Sequence, residues 1–154
     1  MDWDLILQWS FLVALVTAGI RLAVPVLLAV LGETITERSG VLNLGLEGIM
    51  AIGGFAGFMT AYFVENSTAI GTTAEWSAWI GLAAGVVAGM GMGLLMGVLS
   101  ISLRADQVIS GITLVVFGVA VSNYLYRQQF SSLTARVQGM ETFPIPILSD
   151  IPVV

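Results

Sequence analysis

The residues whose types could do chemistry gather in one stretch, Gly32-Glu-Thr-Ile-Thr-Glu-Arg-Ser-Gly-Val-Leu-Asn-Leu-Gly-Leu-Glu-Gly48. After Gly40 it is too apolar for a solvated loop, and it is too polar and glycine-rich for an ordinary membrane span. Non-helical backbone at membrane depth survives only inside protein or beside a water-filled cavity. Gly40, Gly45 and Gly48 supply the turns such a break needs. Asn43 and Glu47 are four apart and share a face if the chain is helical from Leu42 onward. A carboxylate at depth costs at least about 2.5 kcal/mol, so Glu47 should face a pathway or a partner. The competing reading is a cytoplasmic re-entry turn in which Glu33, Glu37 and Arg38 are solvated and Glu47 favours the next helix start. Arg21, one turn before Pro25 in an apolar run, either snorkels to neighbouring carbonyls or faces a polar cavity. The candidates for lining or gating a pathway are therefore Asn43 and Glu47 and, more weakly, Arg21 and Glu37. Asn123 reads as an interhelical hydrogen-bonding group.

Absences narrow the chemistry further. The chain has no Cys and no His, and all five of its basic residues are Arg. There is no thiolate nucleophile or ligand, no imidazole base, and no lysine for a phosphate-binding loop. No catalytic residue, metal site or cofactor is expected. A membrane-embedded hydrolase would rest on scattered carboxylates and hydroxyls without triad spacing. Any nucleotide hydrolysis must come from another chain, and no nucleic-acid partner is expected. The net charge of −5 sits largely in short linkers and identifies no partner.

The elements that must position these groups are membrane helices. Of 154 residues, 57% are apolar and 10% charged, with a mean hydropathy of +0.97. A soluble domain would need a charged surface that this sequence lacks. Apolar runs predict an all-α, polytopic helical bundle of about four spans, near 5–31, 44–64, 79–103 and 108–126, with the polar broken segment between the first two. Residues 1–126 form the membrane region. Residues 127–154 read as an extramembrane loop, because each X-Pro step at Pro144, Pro146 and Pro152 favours extended backbone. The apolar ending Ile151-Pro-Val-Val reads as an interrupted chain. The start is not a signal peptide, since Asp2 and Asp4 stand where a basic region belongs. Arg38 and Arg104 mark the first and third linkers as cytoplasmic, which puts the N-terminus, the 65–77 loop and the tail outside, whereas Arg127 and Arg136 in the tail argue the other way.

In the third run, Gly81, Gly85, Gly89, Gly93 and Gly97 recur at every fourth position. Such a series forms one slanted groove that lets another backbone approach closely. These five are expected to be helix-packing residues.

The segment from Gly32 to Gly48, continued by Ile49-Met50, resembles the signature of the permease subunits of ATP-binding-cassette importers for nucleosides and simple sugars. That group is the branched-chain amino acid-like permease family. Arg21-Leu-Ala-Val-Pro-Val-Leu-Leu-Ala-Val-Leu-Gly32 is similar to the family's first span, Leu103-Arg-Ala-Asp-Gln-Val-Ile-Ser-Gly111 to a cytoplasmic turn, and Ile145-Pro-Ile-Leu-Ser-Asp-Ile-Pro-Val to its external loop. The resemblance implies a multi-pass protein of the plasma (inner) membrane that pairs with a second permease subunit. It also implies two cytoplasmic ATP-binding subunits, solute delivered by an external binding protein or lipoprotein, and passage by alternating access among membrane lipids. The nucleoside branch is the nearest. The chain corresponds to the N-terminal half of a family member, with the downstream half and its main ATPase-docking loop absent. The alternative from another class is a small oligomeric bundle, a scaffold or pore without ATP coupling. The polar insert discriminates against it.

Overall fold

The computed structural model describes residues 9–67, 74–130, 135–137 and 139. The described residues form α1 (Trp9–Arg38), α2 (Leu46–Asn66), α3 (Ala74–Gly97), a π-helical turn (Val98–Ser102) and α4 (Gln107–Gln129). All four long helices, α3 taken with its π turn, are long and apolar enough to cross a membrane. The expected start at Leu5 and most of the 127–154 loop lie outside the described residues.

The chain divides into two units, one holding α1 up to Thr34 and the other running from Ile35 through α4. Within the first, α1 is continuous through Pro25, and none of its side chains is buried. Its 30 residues correspond to about 45 Å at 1.5 Å per residue, well beyond a hydrocarbon core of about 30 Å. Length thus corrects the reading of the insert. Gly32–Arg38 is the end of a helix rather than irregular chain, because helix geometry does not stop where the apolar residues do.

The second unit is built around α2. Gly53, Gly57 and Ala61 meet α3 in antiparallel order. A Cβ added at Gly85 would stand 2.9 Å from the Gly53 carbonyl oxygen, and one at Gly81 would stand 2.7 Å from that of Gly57. On another side of α2, Gly48 lies against the Leu114–Val115 backbone. A Cβ at Gly118 would stand 2.5 Å from the Gly48 carbonyl oxygen. Here the order of contacts, Gly48 with Gly118 and then Phe58 with Tyr126 and Phe130, makes α2 and α4 parallel. Met92, Met96 and Leu114 are the buried centre, with Ile49, Ile52 and Leu99 packed around them.

The expected five-glycine groove is used unevenly. Gly81 and Gly85 lie against α2, and Gly89 makes an ordinary contact with Ile49 at 3.8 Å. Gly93 and Gly97 have nothing within 4 Å among the described residues. The two halves should therefore respond oppositely to one methyl group. Gly85→Ala should lower resistance to unfolding in detergent by about 1–3 kcal/mol, the range for overpacking. Gly93→Ala should leave it unchanged or raise it by up to about 1 kcal/mol through helix propensity. Equal responses would remove the distinction.

Candidate functional site

The insert ends α1 with a Schellman turn. Gly40 takes the left-handed position at φ +85°. Its N–H donates to Glu37 O at 3.0 Å and Val41 N–H donates to Thr36 O at 3.1 Å. This pair of bonds satisfies carbonyls the helix end leaves open. Two residues on, the Asn43 side-chain oxygen accepts from Gly45 N–H at 3.1 Å, a local turn of the kind asparagine favours. Helix α2 then begins at Leu46 with Gly45 at its N-cap.

The turn between α3 and α4 follows the same logic with different residues. The π turn closes with Leu103 N–H donating to Val98 O at 3.0 Å and Ala105 N–H donating to Leu99 O at 2.9 Å. Here Arg104, not glycine, takes the left-handed position, at φ 51°. Asp106 then caps α4, its Oδ1 accepting from Val108 N–H at 2.8 Å and Ile109 N–H at 3.0 Å.

These two segments are docked on each other. The Leu42 N–H donates to Gln107 Oε1 at 2.8 Å across 65 positions of sequence. Gly111 receives the insert so closely that an added Cβ would lie 2.7 Å from Leu44 Cβ and 3.0 Å from Gly45 N. Gly111 and Ser110 are both buried. The segment 39–48 and the segment 103–111 thus make one junction at the end where α2 and α4 begin.

The predicted residues occupy different places. Asn43 is half-buried and its amide oxygen is engaged in the turn. Glu47 is the second residue of α2, exposed in its first turn. Because α2 starts only at Leu46, Asn43 and Glu47 do not share a helix face, and that expectation is corrected. Glu37 is exposed in the last turn of α1. Arg21 is exposed on α1 and belongs to the other unit. Asn123 lies on the outer surface of α4 and donates to its own helix at Val119 O, 2.9 Å away. No group of three or more metal-ligating side chains occurs among the described residues. The sequence presents Gln107 and Gly111 only within the Leu103–Gly111 motif, with no role, and does not single out Gly118. The packing signal of Gly111 and Gly118 is a pair of glycines two turns apart, too sparse to separate from the general glycine content of membrane helices, and Gln107 carries no spacing signal.

The capping geometry sets two opposed expectations for thermal or denaturant unfolding in detergent. Arg104→Gly should stabilise by about 1 kcal/mol, since only glycine enters the left-handed region without cost. Asp106→Ala should destabilise by about 1 kcal/mol through loss of the cap. If Arg104→Gly destabilises instead, the arginine side chain is itself a structural contact.

Comparison with known proteins identifies the family. A family model described as the permease component of branched-chain amino acid transport systems matches residues 15–149. A Haloferax volcanii protein provisionally named a glucose ABC transporter permease is 37% identical over 92% of this chain and 42% of its own length. The guanosine ABC transporter permease protein of Bacillus subtilis is 33% identical over 90% of this chain and 43% of its own. The nucleoside ABC transporter permease protein of Lactococcus lactis is 30% identical over 84% of this chain and 40% of its own. The chain therefore spans about two fifths of the length of these relatives. No solved structure matches it. With a family model covering most of its length and four helices fit to span a membrane, the chain is a multi-pass membrane protein of the branched-chain amino acid-type transport permease family.

Proposed function

We propose that this chain is part of the membrane-spanning subunit of an ATP-binding-cassette importer for nucleosides or simple sugars. The observation that carries the reading is the junction itself. The two segments that resemble the permease signature are far apart in sequence, yet they are joined by the Leu42–Gln107 hydrogen bond and by backbone contact at Gly111. An oligomerising scaffold has no need of such a junction.

In this reading the chain guides solute, and ATP is hydrolysed by cytoplasmic partner subunits, as the resemblance implies and as the lack of a phosphate-loop lysine in this chain supports. A second permease subunit completes the pathway, and an external binding protein or lipoprotein delivers the solute. Arg38 and Arg104 lie at the end where α2 and α4 begin, while Arg127 closes the other end of α4. Arg127 and Arg136 balance that pair, so the choice of the junction end as cytoplasmic, with the N-terminus outside, rests on the acidic 65–77 linker, which holds Glu65 and Glu75 and no basic residue. Among the pathway candidates Glu47 ranks first, since it is an exposed carboxylate on the first turn of a span. Asn43 ranks lower because the turn uses its oxygen. Arg21 and Glu37 are secondary.

Cells carrying the complete importer test this with labelled guanosine and labelled glucose. Glu47→Ala should cut uptake at least about tenfold, the loss expected for one charge-assisted contact, with the amount of protein in the membrane unchanged. Pull-down of the complete importer through this chain should recover an ATPase subunit. Uptake at the parent rate would return Glu47 to a helix-start role, and recovery of a homo-oligomer alone would overturn the importer reading.

A further inference from the structure

The space between α2 and α4 differs at its two ends. At the junction end the backbones touch, Gly48 against Gly118. At the other end aromatic rings stand between the helices. Phe58 of α2 lies 6.0 Å from Tyr126 and 5.8 Å from Phe130, and Tyr62 lies 4.9 Å from Phe130, edge to face. Phe130 is buried, whereas Tyr126 keeps 38% of its surface exposed.

Ser122 lies between these ends. It follows Gly118 by four positions and precedes Tyr126 by four, so it shares the face of α4 that meets α2. Its Oγ is buried and has no hydrogen-bond partner. Other span hydroxyls show the local alternative. Thr17, Ser100 and Thr113 each donate to the carbonyl four residues back, at 2.7–2.8 Å. That bond is available to any helical serine. Ser122 does not take it, and a buried hydroxyl without a partner is costly in apolar surroundings.

We propose that Ser122 and the rings of Phe58, Tyr62, Tyr126 and Phe130 form a subsite for a planar nucleobase. The inference rests on the transport reading and narrows its substrate class. Aromatic faces accept a base by stacking, whatever the base. The Ser122 hydroxyl, as donor or acceptor, then meets a polar atom on the rim of the base. The rings exclude water from that bond, and the Gly48–Gly118 contact sets the depth to which the base can enter.

Equilibrium binding to membranes containing the full chain tests the subsite, with radiolabelled guanosine as the probe and glucose measured in parallel. The parent should bind guanosine saturably. Ser122→Ala should weaken binding about five- to tenfold, the range for one hydrogen bond. Tyr126→Leu should weaken it about tenfold or more through lost stacking, while Tyr126→Phe, which keeps the ring, should stay within about twofold. Helical content and monodispersity in detergent check folding, and if Tyr126→Leu fails that check, Ser122→Ala decides alone. Parent-like affinity in Ser122→Ala, or no saturable guanosine binding by the parent, overturns the subsite. A response of glucose but not guanosine to these variants overturns the nucleobase assignment. If ATPase recovery and uptake are intact while Ser122→Ala binds normally, only the subsite fails. Loss of ATPase recovery from the parent strikes the transport reading instead.

Discussion

The bundle depends on the narrowness of α2. In lipid, apolar side chains gain nothing by leaving hydrocarbon for each other, so helices associate through close packing and hydrogen bonds. Helix α2 meets this constraint on two sides with backbone rather than side chains: Gly53 and Gly57 against Gly85 and Gly81, and Gly48 against Gly118. Because these contacts leave no room for a Cβ, they fix the register of both neighbours. A shift of α4 along α2 by one residue would bring Phe117 or Val119 to the place against Gly48 that Gly118 now fills. The Leu42–Gln107 hydrogen bond and the seat of the insert on Gly111 are consequences of that register.

The junction also shows two solutions to one problem. Both α1 and the π turn after α3 end with a left-handed residue whose neighbours close bonds back onto the helix. After α1 the residue is glycine, which occupies that conformation without strain. After α3 it is Arg104, which does not. The π turn widens the last bonds by one residue, so Ala105 reaches Leu99. Ser100 is buried within that turn, its hydroxyl returned to Met96 O. The sequence keeps a charged, exposed side chain at a strained position next to the cap of α4.

Much of this architecture was legible in the sequence because hydrocarbon thickness sets a length that apolar runs must meet. Four runs gave four helices, and the glycine series named α3 as a packing helix. Hydropathy does not report where a helix stops, however. α1 continues through Glu33, Thr34 and Glu37, residues that look like loop to any scale of apolarity. The partner of the glycine series was also hidden. In Gly53-Gly-Phe-Ala-Gly57 the extra glycine blurs the spacing, and Gly111 and Gly118 are too far apart to read as a series. For the site, the sequence marked the insert, but it could not show that Asn43 closes a turn while Glu47 lies beyond it, since that depends on α2 starting at Leu46.

The polar inventory of the spans separates structure from function. In an apolar medium a hydroxyl or amide is satisfied most cheaply by its own helix. Thr17, Thr34, Asn66, Ser100, Thr113 and Asn123 all bond to a carbonyl three or four residues back. Asn43, Asp106 and Gln107 are engaged in turns, caps and the junction. On the transport reading proposed above, some polar groups must stay out of this local economy, for a group bonded to its own backbone offers a solute little. Among the described residues Ser122 Oγ, between α2 and α4, is buried without a partner, and Glu47 is an exposed carboxylate at the junction end. They lie along the same pair of parallel helices, on either side of the Gly48–Gly118 contact. Around that contact Gly48 also meets the Leu114–Val115 backbone, so a side chain added at Gly48 or Gly118 would have no room between the two helices.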